Sequence, residues 1–481
     1  MILLQIFSIL SLTILLLFFT NNYKVVKGLT LISTSLVFLL SSLSLTHFDF
    51  NSFYFQQVTT VCIAPEYLNL FFSFGFDGVS ILFFWLSTLL IFSCTLFIFE
   101  EQQKYKLYAL LLLSLEFLLI LVFSVLDLLL FYVFFEAILI PMYLLIGVLG
   151  SRERKIRAGY LLFFYTLTGS LLMLLGILYI YTQVGTFNLE YILCWSFSFE
   201  EQLWLWLAFF LSFASKIPMF PFHIWLPEAH VEAPTVGSVI LAGILLKLGV
   251  YGFLRFSLLF FPLASLFFSP IVYILSIIGV VYASFCAIRQ TDFKRIIAYS
   301  SVAHMNLVTL GIFSFNIVGL EGALLQSVSH GFVSSALFLL IGLLYNRYHS
   351  RLLYYYGGLV HTMPLYSSIL LFFTMSNIAL PGTSSFIGEF LLLLGVFKIS
   401  FIISLIATTG VVLCGAYSLW LYNKITFGNL KTNFVLRFKD ISFREFSILL
   451  PLVLLVLFSG IFPSYFLKYF DLSVSYISFI S

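Results

Sequence analysis

Long apolar runs separated by short polar loops dominate the chain. A membrane-crossing helix needs about 20 mostly apolar residues. Runs of about that length fall at roughly 2–20, 28–45, 78–99, 107–125, 128–148, 158–181, 203–222, 235–257, 266–287, 296–315, 322–345, 365–397, 400–427 and 446–467. The pattern predicts an all-α integral membrane protein with about fourteen transmembrane helices. The twelfth run is too long for one straight helix. Loops 46–77 and 182–202, the longest, are acidic or neutral and too short to enclose an independent core.

Charge tests that count independently. Of the 23 Lys and Arg residues, 18 lie in loops that follow odd-numbered spans, among them Lys24, Lys104, Arg152, Lys294, Arg295, Arg351 and Arg437. Loops after even spans, with the tail, hold only Arg255, Lys398 and Lys468; Lys216 and Lys247 lie inside spans. Basic residues accumulate on one side of a membrane protein, so the alternation supports fourteen spans with both termini on the positive-poor side.

Composition removes the other classes. Only 9% of residues are charged and 62% are hydrophobic, against about 25% and 45–50% in soluble domains. The five cysteines are scattered, without spacing for a disulfide framework, zinc or an iron–sulfur cluster. Neither nucleotide-binding glycine motif occurs. Residues 1–20 lack a basic leader region and are long enough to span, unlike a targeting peptide. The 60 Phe and 27 Tyr fit an AT-rich coding genome such as an organelle's.

Seven ionisable residues interrupt the apolar runs: Glu116, Glu136, Lys216, Lys247, His304, His330 and Glu389. A lone charge at mid-membrane costs about 2.5–3.5 kcal/mol on insertion scales, so such residues mark function or structural ion pairs. Lys216 opens Lys-Ile-Pro-Met-Phe-Pro-Phe-His, where Pro218 and Pro221 must end the seventh helix. Ala379-Leu-Pro-Gly-Thr-Ser-Ser385 should break the twelfth span just before Glu389, and Pro141 should disturb the fifth span mildly. Broken helices at membrane depth occur where they are buried in protein or line a watery cavity.

The breaks are spaced regularly. Pro218 and Pro381 lie 163 residues apart, as do Gly159-Tyr-Leu-Leu and Gly322-Ala-Leu-Leu. The offset is five spans. Five is odd, so spans 4–8 and 9–13 would form two inverted five-helix repeats, as in many secondary transporters. The chain then divides into N-terminal spans 1–106, a first repeat 107–257, a second repeat 258–427, and a loop with span fourteen at 428–481.

A buried lysine near a glutamate is a proton switch. Burial disfavours the charged amine, whereas a neighbouring carboxylate favours it. At about 4 Å and an effective dielectric near 20 the attraction is roughly 4 kcal/mol, the order of the 2.3 kcal/mol per charge that about 100 mV supplies. Histidines suit the relay beyond it. The expected activity is ion translocation, most naturally of protons; Na⁺ held by backbone carbonyls and a purely structural scaffold stay open. The stretch 222–235 holds His223, Glu228, His230 and Glu232 without a metal-ligand spacing, and reads as a loop on the aqueous side closing a proton entrance.

The same residues carry a resemblance. Phe135-Glu136-Ala-Ile-Leu-Ile-Pro-Met, Lys216 through Leu226-Pro-Glu-Ala-His-Val-Glu-Ala-Pro-Thr235 to Lys247, Arg295-Ile-Ile-Ala-Tyr-Ser-Ser-Val-Ala-His304, Ser329-His330-Gly331 and Ala379-Leu-Pro-Gly through Gly388-Glu389 follow in order. Over roughly 110–430 the chain resembles the antiporter-like membrane subunits of respiratory NADH:ubiquinone oxidoreductase (complex I). Glutamate at 389, where sister chains carry lysine, points to the chain 4 branch. The multi-subunit cation/proton antiporter subunits and the plastid homologue are the alternatives. The resemblance implies an input pair at Glu136 and Lys216, a central axis at Lys247, His304 and His330, an output residue at Glu389, and a further acid at Glu116. It implies a mitochondrial inner-membrane protein with basic loops facing the matrix and both termini in the intermembrane space. Sister antiporter-like chains and membrane lipids would be its partners, and it would bind no nucleic acid. It would hold no cofactor: NADH, FMN, iron–sulfur clusters and ubiquinone would belong to other subunits.

Overall fold

A computed structural model describes residues 2–62, 71–100, 104–431 and 439–480; Arg437, counted above among the basic loop residues, lies outside them. In chain order the helices are α1 (Ile2–Phe19), α2 (Tyr23–Thr46), α3 (Gly78–Phe97), α4 (Tyr105–Ser124), α5 (Leu128–Ala137), α6 (Leu139–Leu149), α7 (Lys155–Val184), α8 (Leu189–Leu193), α9 (Phe199–Lys216), α10 (Trp225–Glu232) and α11 (Thr235–Ile240). They continue as α12 (Leu246–Gly252), α13 (Leu258–Phe260), α14 (Pro262–Arg289), α15 (Phe293–Ile312), α16 (Ile317–Tyr348), α17 (Leu359–Thr362), α18 (Pro364–Asn377), α19 (Ser384–Phe397), α20 (Phe401–Thr426), α21 (Phe443–Ile461) and α22 (Pro463–Ile480). Among the described residues, eleven helices are long and apolar enough to cross a membrane, counting α5 with α6 and α11 through α13 as one each.

The all-α expectation is corrected by a strand pair among the described residues. In the loop 46–77, β1 (Gln56–Cys62) pairs antiparallel with β2 (Phe71–Phe76), Thr59 opposite Phe74 and Thr60 opposite Ser73. Val and Thr on one strand and Phe on the other suit a pleated surface, and a span count based on helical apolar runs passes over such short segments. The tail differs as well. The last apolar run, read as 446–467, is not one helix: α21 stops at Ile461, and Pro463, which fits a first helical turn, starts the separate helix α22.

The chain packs as two units. One comprises Met1–Lys216, Lys247–Phe267 and Lys468–Ser481; the other comprises Ile217–Leu246 and Phe268–Leu467. In the first unit α3 is buried along nearly its whole length. Asp77 caps it in a reciprocal box with Ser80 and forms an ion pair with Arg255 at 2.8 Å. Gly78 is required by packing, since a Cβ there would lie 1.8 Å from the Tyr469 carbonyl oxygen of α22. In the second unit the buried α16 is flanked by α15 and α19. A Cβ at Gly322 would stand 2.6 Å from the Leu392 nitrogen. Small residues at such a seam let two backbones approach closely, and this draws Glu389 against α16.

Candidate functional site

In the first unit the breaks fall where the prolines require them. Helix α9 ends at Lys216, because Pro218 and Pro221 offer no N–H to extend it. The fifth span is divided at Ile138 into α5 and α6, directly after Glu136 and shortly before Pro141. These two ends meet. Lys216 Nζ donates to the Phe135 carbonyl at 3.5 Å and stands 4.2 Å from the centre of the Phe135 ring. Lys216 is 3% exposed. It makes no direct ion pair with Glu136, so these two residues are close without contact. The Glu136 carboxylate has Lys216 and Ser170 as polar neighbours, and its Oε1 accepts no hydrogen bond among the described residues.

The other two predicted in-span ionisable residues of this unit are fully buried. Among the described residues, none hydrogen-bonds either carboxylate oxygen of Glu116 on α4. Lys247 sits on α12, between π-helical turns at Leu241–Leu245 and Phe253–Ser257. The apolar run 235–257 predicts one regular helix, and the structure corrects that. No proline marks the irregularity. π-Bulges concentrate at functional sites, and here they flank the buried amine.

The second unit gathers three of the predicted residues. The twelfth span is broken between α18 and α19, where Ala379 adopts φ +65°, a region that L side chains rarely occupy. Five residues into α19, Glu389 Oε1 lies 3.0 Å from His304 Nδ1 of α15, off the line of a good hydrogen bond. The His304 and His330 rings are 5.9 Å apart, centre to centre. Gln326 Nε2 donates to Glu389 Oε1 at 3.1 Å, and the Ser329 hydroxyl donates to Gln326 Oε1 at 3.1 Å. On the other side of His304, Nε2 meets Cys414 Sγ at 3.6 Å, and Tyr417 donates to that sulfur at 3.0 Å. Sequence reasoning missed Gln326, Cys414 and Tyr417. Gln326 lies four residues before His330, one helical turn along the same face, a signal that was available. Nothing local marks Cys414.

The stretch 222–235 is not an aqueous loop. Most of it forms the buried helix α10, with His230 stacked on Phe338 at 4.6 Å and 7°. Cations predicted to mark a loop fold in to hold it. Lys294 donates to the Ala233 carbonyl at 2.7 Å, and Arg351 donates to the Val231 carbonyl and lies 3.6 Å from Glu232. Arg295 pairs with Glu228 at 2.8 Å. Lys294 and Arg351 are each 2% exposed, and helix C-termini favour such charges. His223, beside the break, packs on Phe220 and Tyr282, and burial holds its imidazole below its usual range.

Fold and site together define a multi-pass helical membrane protein whose ionisable side chains are buried where its helices break. Residues 125–414 match the family described as NADH:quinone oxidoreductase/Mrp antiporter, TM. NADH-ubiquinone oxidoreductase chain 4 of Chondrus crispus is 55% identical over 95% of this chain and 92% of its own length; that of Arabidopsis thaliana is 52% identical over 96% and 94%. Among solved structures, a chain of respiratory complex I from Thermus thermophilus with bound NADH superposes at TM-score 0.89, with 32% identity over 100% of this chain and 99% of that one. A chain of the Mrp complex from Dietzia sp. shares the fold at TM-score 0.87 and 19% identity, covering 100% of this chain and 98% of that one. The chain belongs to the NADH-ubiquinone oxidoreductase chain 4 family.

Proposed function

We propose that this chain is a proton-translocating subunit of a mitochondrial NADH:ubiquinone oxidoreductase. It couples quinone reduction elsewhere in the complex to proton movement through its own buried side chains. The observation that carries the reading is the meeting of two helix breaks at Lys216, where a buried amine stands beside Glu136 with no counter-ion in direct contact among the described residues. Such an amine takes or releases a proton according to how close the carboxylate comes. Lys247 lies onward within the same unit, and Glu116 is a further buried acid. In the second unit His304, His330 and Glu389 form the exit relay, with Gln326 and Cys414 orienting it.

The finer architecture belongs to the same proposal. Fourteen spans arranged as two inverted repeats place the broken helices at equivalent positions. Basic loops face the matrix, and both termini face the intermembrane space. Redox chemistry, with NADH, flavin, iron–sulfur clusters and ubiquinone, takes place in other subunits, and sister antiporter-like chains and lipid cover the apolar flanks. Proton uptake by sealed membrane vesicles oxidising NADH tests the reading: Glu136→Gln in a fully assembled complex should depress pumping. Undiminished pumping would overturn it.

A further inference from the structure

A cavity of about 450 Å³ in the first unit is not used by the proton path. Its walls come from segments that follow even-numbered spans or the last one, residues 48–55, 190–194 and 469–477, from the end of the eighth span at 251–259, and from the start of α3. The charge pattern assigns all of them to one end of the unit, the positive-poor end. The cavity therefore sits at the level where a bilayer presents its headgroups, and aromatic belts are enriched there. Its volume lies within the ~300–1,000 Å³ range of small-ligand sites.

Two features of the lining specify a ligand. The first is a wall of rings: Phe50, Phe55, Tyr251, Tyr469 and Tyr476, with Tyr54 exposed at the rim. Phe55 already receives one cation on its face, since the Arg255 guanidinium carbon lies 4.3 Å from its centre. The second is charge. Asp77, Glu190 and Arg255 line the cavity, two carboxylates to one guanidinium. Asp77 and Arg255 are held together at 2.8 Å with 15% and 10% of their side chains exposed. An anionic headgroup would add negative charge to a lining that is already net negative. A zwitterion lies antiparallel to the Asp77–Arg255 pair, and a quaternary ammonium end seats against aromatic faces, as cation–π recognition requires.

We propose that this cavity is a binding site for the phosphocholine headgroup of a membrane phospholipid, with the quaternary ammonium among the rings beside Asp77 and Glu190 and the phosphate against Arg255. The site uses no residue of the proton path, so its occupancy is separable from pumping.

The test uses the intact complex in bilayers containing a trace of phosphatidylcholine that carries a photoreactive group on its headgroup. Mapping of the cross-linked peptides should place label on 48–55 and 469–477. Excess unlabelled phosphatidylcholine should compete and phosphatidylglycerol should not. Tyr54→Leu and Glu190→Gln alter exposed side chains, leaving the fold intact, and each should lower the labelling about threefold to fivefold, the loss of roughly one exposed cation–π or charge contact. Equal competition by phosphatidylglycerol, labelling untouched by both variants, or no label on these segments because another chain fills the cavity would each overturn the proposal. Complete competition by soluble glycerophosphocholine would overturn the membrane lipid as the source.

Discussion

Replacing Lys216 in two ways separates its charge from its ability to change charge. The amine and the Glu136 carboxylate lie beyond the 4.0 Å of a direct ion pair, so at an effective dielectric near 20 their attraction is below about 4 kcal/mol. A membrane potential of about 100 mV contributes roughly 2.3 kcal/mol per charge. The two energies are comparable, which lets a modest approach of Glu136 change the amine's protonation and lets its withdrawal reverse it. Lys216→Met removes a buried cation and keeps most of the volume. It forfeits a cation–π contact worth about 2 kcal/mol and also removes the cost of desolvating a charge, so assembly should survive. Lys216→Arg keeps a cation over Phe135 but one that does not deprotonate. Both variants should assemble, as judged on native gels, and both should lose proton pumping coupled to NADH oxidation in sealed vesicles by at least about tenfold, the effect of ~1.4 kcal/mol on a rate. Normal pumping by Lys216→Arg would refute the switch, because it would show that a fixed positive charge suffices.

Glu389→Gln should weaken pumping by removing the anion 3.0 Å from His304. Gln326→Leu should do so less, and the two should be non-additive because Gln326 acts through Glu389; additive losses in vesicle pumping would argue that Gln326 works separately. Gly78→Ala, whose Cβ would press within 1.8 Å of the Tyr469 carbonyl, should cost about 1–3 kcal/mol of overpacking and reduce the amount of assembled complex on native gels. Gly147→Ala, with nothing within 4 Å, should not. Asp127 caps α5 through the Leu130 N–H at 3.0 Å, yet burial outweighs that bond and raises its carboxyl above the ordinary range. Its contribution to stability is present below its unfolded-state value and lost as pH rises through the folded one. Asp127→Asn keeps a capping oxygen and should therefore flatten the dependence of thermal unfolding on pH between those values.

The multi-span helical character and two of the breaks were legible because membrane physics writes them in long apolar runs and in prolines. Lys216 at the end of α9 and Glu389 just after the α18–α19 break follow from residues adjacent in sequence. The π-helical turns around Lys247 were not legible, since a one-residue change in helical winding has no compositional mark. The hairpin β1–β2 was hidden because its strands are shorter than any window suited to spans. Cys414 and Gln326 gain their meaning only from helices far apart in the chain that meet at His304. Lys294 and Arg351 were expected in basic loops, and the fold buries them instead, because position along the chain says near which end of a span a residue lies, not whether the finished fold encloses it.

That enclosure orders events in biogenesis. Positive residues orient a membrane segment while it is being inserted, when each still meets water and headgroups. Lys294 and Arg351 end under 3% exposed, bonded to the carbonyls at the end of α10. On the proposed topology they act first as topological signals and leave the surface afterwards, so that α10 is fastened once α15 and α16 are in place. Chemical labelling of lysines on the finished protein should therefore miss Lys294, which lies 2% exposed.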